Sequence, residues 1–353
     1  MLGLYIHIPF CRQKCIYCDF YSMPRRVPDG YVDAVIRNIK AYGRRYDTVF
    51  FGGGTPSLMS PRQIGDILSA ADISVGAEIT MEANPETVDA ASLAGYRDAG
   101  IGRISFGVQS FDDEELRMLG RIHDADTAVR AIDTASRYFD DISADIMLGL
   151  PRSDETKLRS TLDTLLSLPL THISAYMLKV EDGTPLSRRK DLLDCIDEDM
   201  TADMYELTAD TLIHHGYRHY EISNFALPGH ECRHNLNYWR CGEYIGIGPA
   251  AYSCTGGVRS HVPSDTELFM SSPVQVCITD DDAACSEEER MMLALRLSEG
   301  YETEDTALLD RAGVFASRGL MTICGGRMAL TTAGMLVSNE IIAELMCVMK
   351  ARS

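Results

Sequence analysis

The sequence predicts an α/β protein: a mainly parallel sheet with helices outside it, open or curled into a barrel, followed by a small, mainly helical second domain. Three observations carry this prediction. Short apolar runs alternate with longer amphipathic ones in about six β-then-α units between Leu2 and Tyr220. The Gly-rich and polar punctuation falls after the apolar runs, which is where such folds keep their sites. After Tyr220 the rhythm stops. A chain of 353 residues has room for about two domains and needs no disulfide staples.

Each unit has its own reason. Leu4–Ile8 is an apolar run too short for a helix. Tyr31–Tyr42 places Tyr31, Val35, Ile39 and Tyr42 on one helical stripe. Thr48–Phe51 is a strand that runs into Gly52-Gly53-Gly54. Residues 61–71 read as a helix with Ser60 as N-cap and Pro61 in the first position. Strands then follow at 78–83, 103–108, 142–148 and 172–177, separated by helices at 90–99, 125–138 and 155–166, with a further helix at 199–215. Residues 221–253 are rich in Asn, Gly, His and Tyr and read as loops with short strands. Asp280-Asp281-Asp282 reads as a solvated linker. Helices at 286–297, 305–311 and 333–349, with a hairpin-like stretch between the last two, complete a second domain over 265–353.

The formal net charge is −19, from 33 basic and 52 acidic side chains. This argues against phosphate-dominated nucleic-acid binding, which needs clustered Lys and Arg. No stretch approaches the roughly 18 apolar residues of a membrane helix. The eleven cysteines are too few for a disulfide scaffold, and the N-terminus MLGLYIHIPFC has no basic n-region. The expected setting is a reducing cytosol, with cysteines serving as buried small residues, metal ligands or catalytic groups.

Cys11, Cys15 and Cys18 form C-x-x-x-C-x-x-C directly after the first strand. Three thiolates suit three corners of a [4Fe–4S] cube, leaving the fourth iron open to an external ligand. A zinc site, the alternative, would want a fourth Cys or His, and His7 is nearest in sequence. The other eight cysteines show no such spacing and read as buried and inert. The run Gly52-Gly53-Gly54-Thr55-Pro56 lets backbone approach a ligand closely on the neighbouring strand.

These segments together, YIHIPFCRQKCIYCDF, FFGGGTPSLM, EANPE, GIGRISFGVQSF and DIMLGLP, resemble the radical S-adenosylmethionine superfamily and, within it, the oxygen-independent coproporphyrinogen III dehydrogenase group. The resemblance runs through nearly the whole chain. It implies a partial (β/α)6 TIM-like barrel over 1–220 holding the [4Fe–4S] loop, an extension over 221–264, and a small C-terminal domain over 265–353. It implies that the open iron binds the amino and carboxyl groups of S-adenosylmethionine, whose reductive cleavage yields a 5′-deoxyadenosyl radical. By motif position, Tyr5, Gly53, Gly54, Thr55, Glu82, Gln109, Arg121 and Asp145 match S-adenosylmethionine contacts, and Tyr17 lies against the cluster.

Two departures separate the branches of the group. Its dehydrogenases resemble one another in a further Cys two residues after the third, where this chain has Phe20, and in an N-terminal extension that this chain is expected to lack. Both departures resemble the HemW-type haem chaperone branch. The segment His234-Asn235-Leu236-Asn237-Tyr238-Trp239 matches the H-N-x-x-Y-W motif typical of that branch. The resemblance therefore implies haem as ligand, with His234 a candidate for its iron and Tyr238 and Trp239 for its faces. It also implies delivery to respiratory haem proteins. The competing reading is the dehydrogenase itself, an oxidative decarboxylation of coproporphyrinogen III.

Overall fold

The computed structural model describes residues 1–351. Its main sheet has twelve strands: β1 (Leu2–Ile8), β2 (Arg45–Gly53), β3 (Asp72–Ala83), β4 (Arg103–Gln109), β5 (Asp141–Leu148), β6 (His172–Met177), β7 (Arg218–Glu221), β8 (Asn224–Ala226), β9 (Glu243–Ile247), β10 (Tyr252–Thr255), β11 (Val258–His261) and β12 (Ile278–Asp281). The spatial order is β12-β11-β10-β9-β1-β2-β3-β4-β5-β6-β8-β7. Strands β1 to β6 pair in parallel and in sequence order, with helices between them. This is the expected partial (β/α)6 barrel. β9 adds a seventh parallel strand beside β1. Antiparallel strands finish both edges, so the sheet ends at β12 and β7 without joining them.

A period of two organises the barrel. One face of each strand carries Leu4, Ile6 and Ile8, Val49 and Phe51, Ile104, Phe106 and Val108, and Ile142, Ile146 and Leu148. None of these is more than 1% exposed. They meet the helices, and each contributes about 1.5–3 kcal/mol by burial. The helices start where acidic side chains cap them. Asp89, Asp112, Asp124, Asp154 and Asp197 each accept a backbone N–H of the first turn. Part of the acidic surplus is thus structural.

The segment beyond Tyr220 is more ordered than its composition suggested. It holds β8 to β11 and the helix Arg233–Trp239. The main sheet also continues past residue 264. β12 pairs with β11, and the His261 Nδ1 lies 2.8 Å from Asp280, so the acidic run is a charged edge strand rather than a plain linker. The remaining chain forms helices Glu287–Ala294, Thr306–Ala316, Thr332–Leu336 and Ser338–Lys350 around the three-stranded sheet β13 (Tyr301–Glu302), β14 (Met321–Cys324) and β15 (Arg327–Leu330). The helix expected at 333–349 is two helices, broken at Val337.

Candidate functional site

The second face of the barrel strands is polar, because every other residue changes character. β4 presents Arg103, Ser105, Gly107 and Gln109; β5 presents Asp145 and Met147; β6 presents His172, Ser174 and Tyr176. Pairing aligns them across the sheet: Glu82 stands beside Ser105, Gly107 beside Asp145, and Asp145 beside Ser174. The Ser105 hydroxyl donates to Asp145 Oδ1 at 3.2 Å. A cavity of about 510 Å³ opens at the carboxyl ends of these strands, under the cysteine loop.

The loop is held from several sides. The Ile16 amide donates to the Leu119 carbonyl at 3.1 Å, and the Leu186 amide to the Ile16 carbonyl at 2.8 Å. Arg12 donates to the Glu86 carbonyl, Gln13 to that of Gly120 and Lys14 to that of Phe20, at 2.9 to 3.0 Å. The residues Phe10–Cys11 pair in parallel with Met23–Pro24. All three loop cysteines are free, half-buried thiols, and all three line the cavity. Burial pushes the Cys11 and Cys18 thiols up; Thr55 and Ser22 at Cys11, and the Phe20 amide at Cys18, pull them part of the way back. The Arg121 guanidinium sits 3.5 Å from Cys15 Sγ. It also holds Asn84 Oδ1 at 2.9 Å and the Gly107 carbonyl.

The donor set fits a cube better than a single ion. Among the described residues, no three His, Cys, Asp or Glu side chains converge to hold one metal ion. A cube asks for something different, since each thiolate binds its own iron and the sulfurs stand apart around a shared cavity.

The glycine floor explains itself by contact. A Cβ on Gly53, at φ +109°, would lie 2.6 Å from the His7 ring, and one on Gly54 would lie 2.8 Å from the Ile8 and Phe10 carbonyl oxygens. Gln109 holds φ +73° at the end of β4, a conformation that costs a non-glycine residue about 1–2 kcal/mol and gathers at ligand sites. Glu82 Oε2 accepts the Gly53 amide at 3.1 Å. Burial, then the Asp145 charge, pushes Glu82 up to about 8. Burial also raises Asp145, which Ser174, Ser105, Arg103 and Arg121 pull back.

Eleven residues expected at the site line this one cavity. They are Cys11, Cys15, Cys18, Tyr17, Gly53 and Gly54, together with Thr55, Glu82, Gln109, Arg121 and Asp145. Tyr5 is one chamber away. It lines an interior cavity of about 220 Å³ that shares Glu82, Asp145 and Tyr176 with the first, and its hydroxyl meets His7 Nδ1 at 3.1 Å.

His234, the candidate for the haem iron, lines the smaller interior cavity and not the cysteine-lined one. Its ring is 1% exposed, with Nδ1 2.8 Å from the Thr48 hydroxyl and Nε2 2.7 Å from the Tyr238 hydroxyl. Its backbone N–H donates to Glu78 Oε1 at 2.9 Å. The ring stacks on Phe50, and burial lowers its pKa to about 3. Both ring nitrogens are used, so His234 braces the barrel floor.

The sequence reading missed Arg103, Ser105, His172, Ser174 and Tyr176. Period-two alternation in RISFGVQ and HISAYM was the available signal. Asn84, in the EANPE segment at the end of β3, does join the site: its Nδ2 donates to the Thr55 hydroxyl at 3.2 Å while its Oδ1 accepts from Arg121.

Comparison with known proteins agrees with this geometry. The radical SAM superfamily profile matches residues 5–165, and that superfamily implies a [4Fe–4S] cluster and S-adenosylmethionine. The chain is 42% identical over 264 residues to heme chaperone HemW of Escherichia coli, spanning 71% of this chain and 69% of that one. It is 36% identical over 371 residues to heme chaperone HemW of Synechocystis, spanning 96% and 90%. The solved structure of coproporphyrinogen III oxidase (HemN) from Escherichia coli superposes with a TM-score of 0.82 over 98% of this chain and 89% of that one, at 20% identity, which speaks to the fold alone. The chain belongs to the HemW haem chaperone family of the radical SAM superfamily.

Proposed function

We propose that this protein is a haem chaperone: it holds a [4Fe–4S] cluster, binds S-adenosylmethionine beside it, and carries haem to respiratory haem proteins. The observation that carries the cofactor reading is the convergence of three loop thiols, a glycine floor and two buried carboxyls on one cavity. The thiols of Cys11, Cys15 and Cys18 are the cluster ligands. The bound cluster supplies a one-electron path and an open iron for the amino and carboxyl groups of S-adenosylmethionine.

The chain's own residues bind and orient. The Gly53–Gly54 backbone allows a ligand to approach where any side chain would obstruct it. Glu82 accepts from an ammonium or a hydroxyl when ionised, and Asp145 lies beside it for the ribose end. Arg121 holds the loop by pinning Cys15, Asn84 and the Gly107 carbonyl at once. Tyr17 covers the cluster side, and Gln109 closes the end of β4. The free state of all eleven cysteines fits the cytosol.

Phe20 favours the chaperone over the dehydrogenase reading. It stands where the dehydrogenases of the group carry a further Cys, and it is 60% exposed at the cavity mouth. The test is anaerobic reconstitution followed by assay. About four irons and four sulfides per chain are expected, with S-adenosylmethionine binding and no conversion of coproporphyrinogen III. Sustained turnover of that substrate overturns the proposal.

A further inference from the structure

Eight cysteines lie outside the cluster loop, and the fold gathers three of them. Cys241 follows the helix Arg233–Trp239, Cys254 is on β10, and Cys285 precedes the helix Glu287–Ala294. The Sγ atoms of Cys254 and Cys285 are 3.8 Å apart. Cys285 Sγ is also 3.7 Å from the Cys241 carbonyl, and the Cys241 and Cys285 thiols interact. Cys241 holds φ +52° and Cys285 φ +65°, so two of the three are kept in the strained left-handed region. The Cys285 amide is pinned by Glu289 Oε2 at 2.6 Å.

All three thiols line a cavity of about 710 Å³ that shares Tyr176 with the cofactor cavity. Tyr238 and Trp239 supply aromatic wall, and Arg259 and Arg296 supply positive charge. Arg259 is paired with Glu289 at 2.6 Å, whereas Arg296 donates to the Asn339 amide oxygen at 3.0 Å and faces Glu221. Glu221, 1% exposed, lines the same cavity, with Ser223, Asn224, Trp239 and Arg296 around its carboxyl group.

A haem presents a flat aromatic macrocycle, two carboxylates and an iron that accepts a thiolate. The aromatic walls and the thiols of this cavity answer the first and third of those features, and Arg259 and Arg296, set against Glu289 and Glu221, line it for the second. We propose that haem binds in this cavity and that Cys285, flanked by Cys254 and Cys241, supplies a thiolate to its iron. This rests on the haem chaperone reading. It moves the ligand from His234, whose ring nitrogens are both occupied, to the far side of the same motif, where Tyr238 and Trp239 face the cavity. On ligation the Cys285 S–H bond breaks and its proton leaves to water. The electron pair left on sulfur forms the iron–sulfur bond, with no change in oxidation state.

The test is differential alkylation of the cluster-loaded full chain, with and without one equivalent of ferric haem, mapped by mass spectrometry. Haem is expected to slow alkylation of Cys241 and Cys285 by about tenfold or more. Cys195, Cys277, Cys324 and Cys347, which are exposed and not buried as their lack of spacing suggested, should react at unchanged rates. Cys285→Ser is expected to alter the absorption spectrum of bound haem, while Cys277→Ser leaves it as it was. Haem that binds without protecting Cys285, with a spectrum indifferent to Cys285→Ser, overturns the ligand assignment and leaves the chaperone reading standing. Failure of the unaltered protein to bind haem overturns both.

Discussion

Replacing Glu82 by Gln separates stability from ligand binding at the cofactor cavity. Glu82 is pushed from its ordinary 4.5 up to about 8 by burial and by Asp145. Between those values the folded chain holds a proton that the unfolded chain has lost. Glu82's contribution is therefore intact below about pH 4.5 and lost as pH rises towards 8. Integrated to pH 7, the shift is worth about 3 kcal/mol. Water in the open cavity reduces this to about 2 kcal/mol. Glutamine never ionises, and its Oε1 still accepts the Gly53 amide. Glu82→Gln should therefore stabilise the cofactor-free protein by about 2 kcal/mol at pH 7 to 8 and by almost nothing at pH 4.5 to 5, read by denaturant or thermal unfolding at the two pH values. The same variant should bind S-adenosylmethionine about tenfold or more weakly, because a charge-assisted hydrogen bond is lost. A stability change that is equal at both pH values, or is a loss at pH 8, refutes the reasoning.

Other consequences follow from the same geometry. His7, His172, His219 and His234 all have pKa values lowered by burial. The fold keeps them neutral, so stability is intact above about pH 6.5 and falls below it by up to about 1.4 kcal/mol per pH unit for each histidine; unfolding measured from pH 7 to 5 checks this. Gly54→Ala should cost about 2–4 kcal/mol, since its Cβ meets only backbone atoms; a lowered unfolding midpoint is the readout. His234→Ala should cost roughly 3 kcal/mol by stranding the Thr48 and Tyr238 hydroxyls, while the folded fraction keeps its haem stoichiometry. Cys15→Ala should abolish most of the iron and sulfide content with little change in the circular dichroism of the chain.

The alternation of strands and helices up to His214 was legible because each strand is a short apolar run and each helix carries a capping signal. The Tyr31–Tyr42 and Ala90–Ala99 helices match their expected bounds residue for residue. The helix Asp113–Leu119 was not legible, because DDEELRML shows no apolar stripe long enough to register. β9 was hidden for a different reason. It joins β1 from more than two hundred residues away, and no local pattern announces such a partner. The cluster loop was readable because ligand spacing is local. The Cys241–Cys254–Cys285 group was not, since only the folding of β10 and the loop before Glu287 brings those thiols together. His234 shows what a motif leaves out: its spacing is local, whereas the Thr48 hydroxyl that meets its ring is brought there by the fold.

The most direct test of the account is transfer. Cluster-loaded protein is charged anaerobically with one equivalent of haem, freed of excess, and mixed with a haem-free respiratory cytochrome, following haem on both proteins. About one haem per chain is expected, retained until the acceptor is added and then passed to it, with no coproporphyrinogen III consumed in a parallel assay. Haem that never binds, or a protein that oxidatively decarboxylates coproporphyrinogen III at a sustained rate, contradicts it.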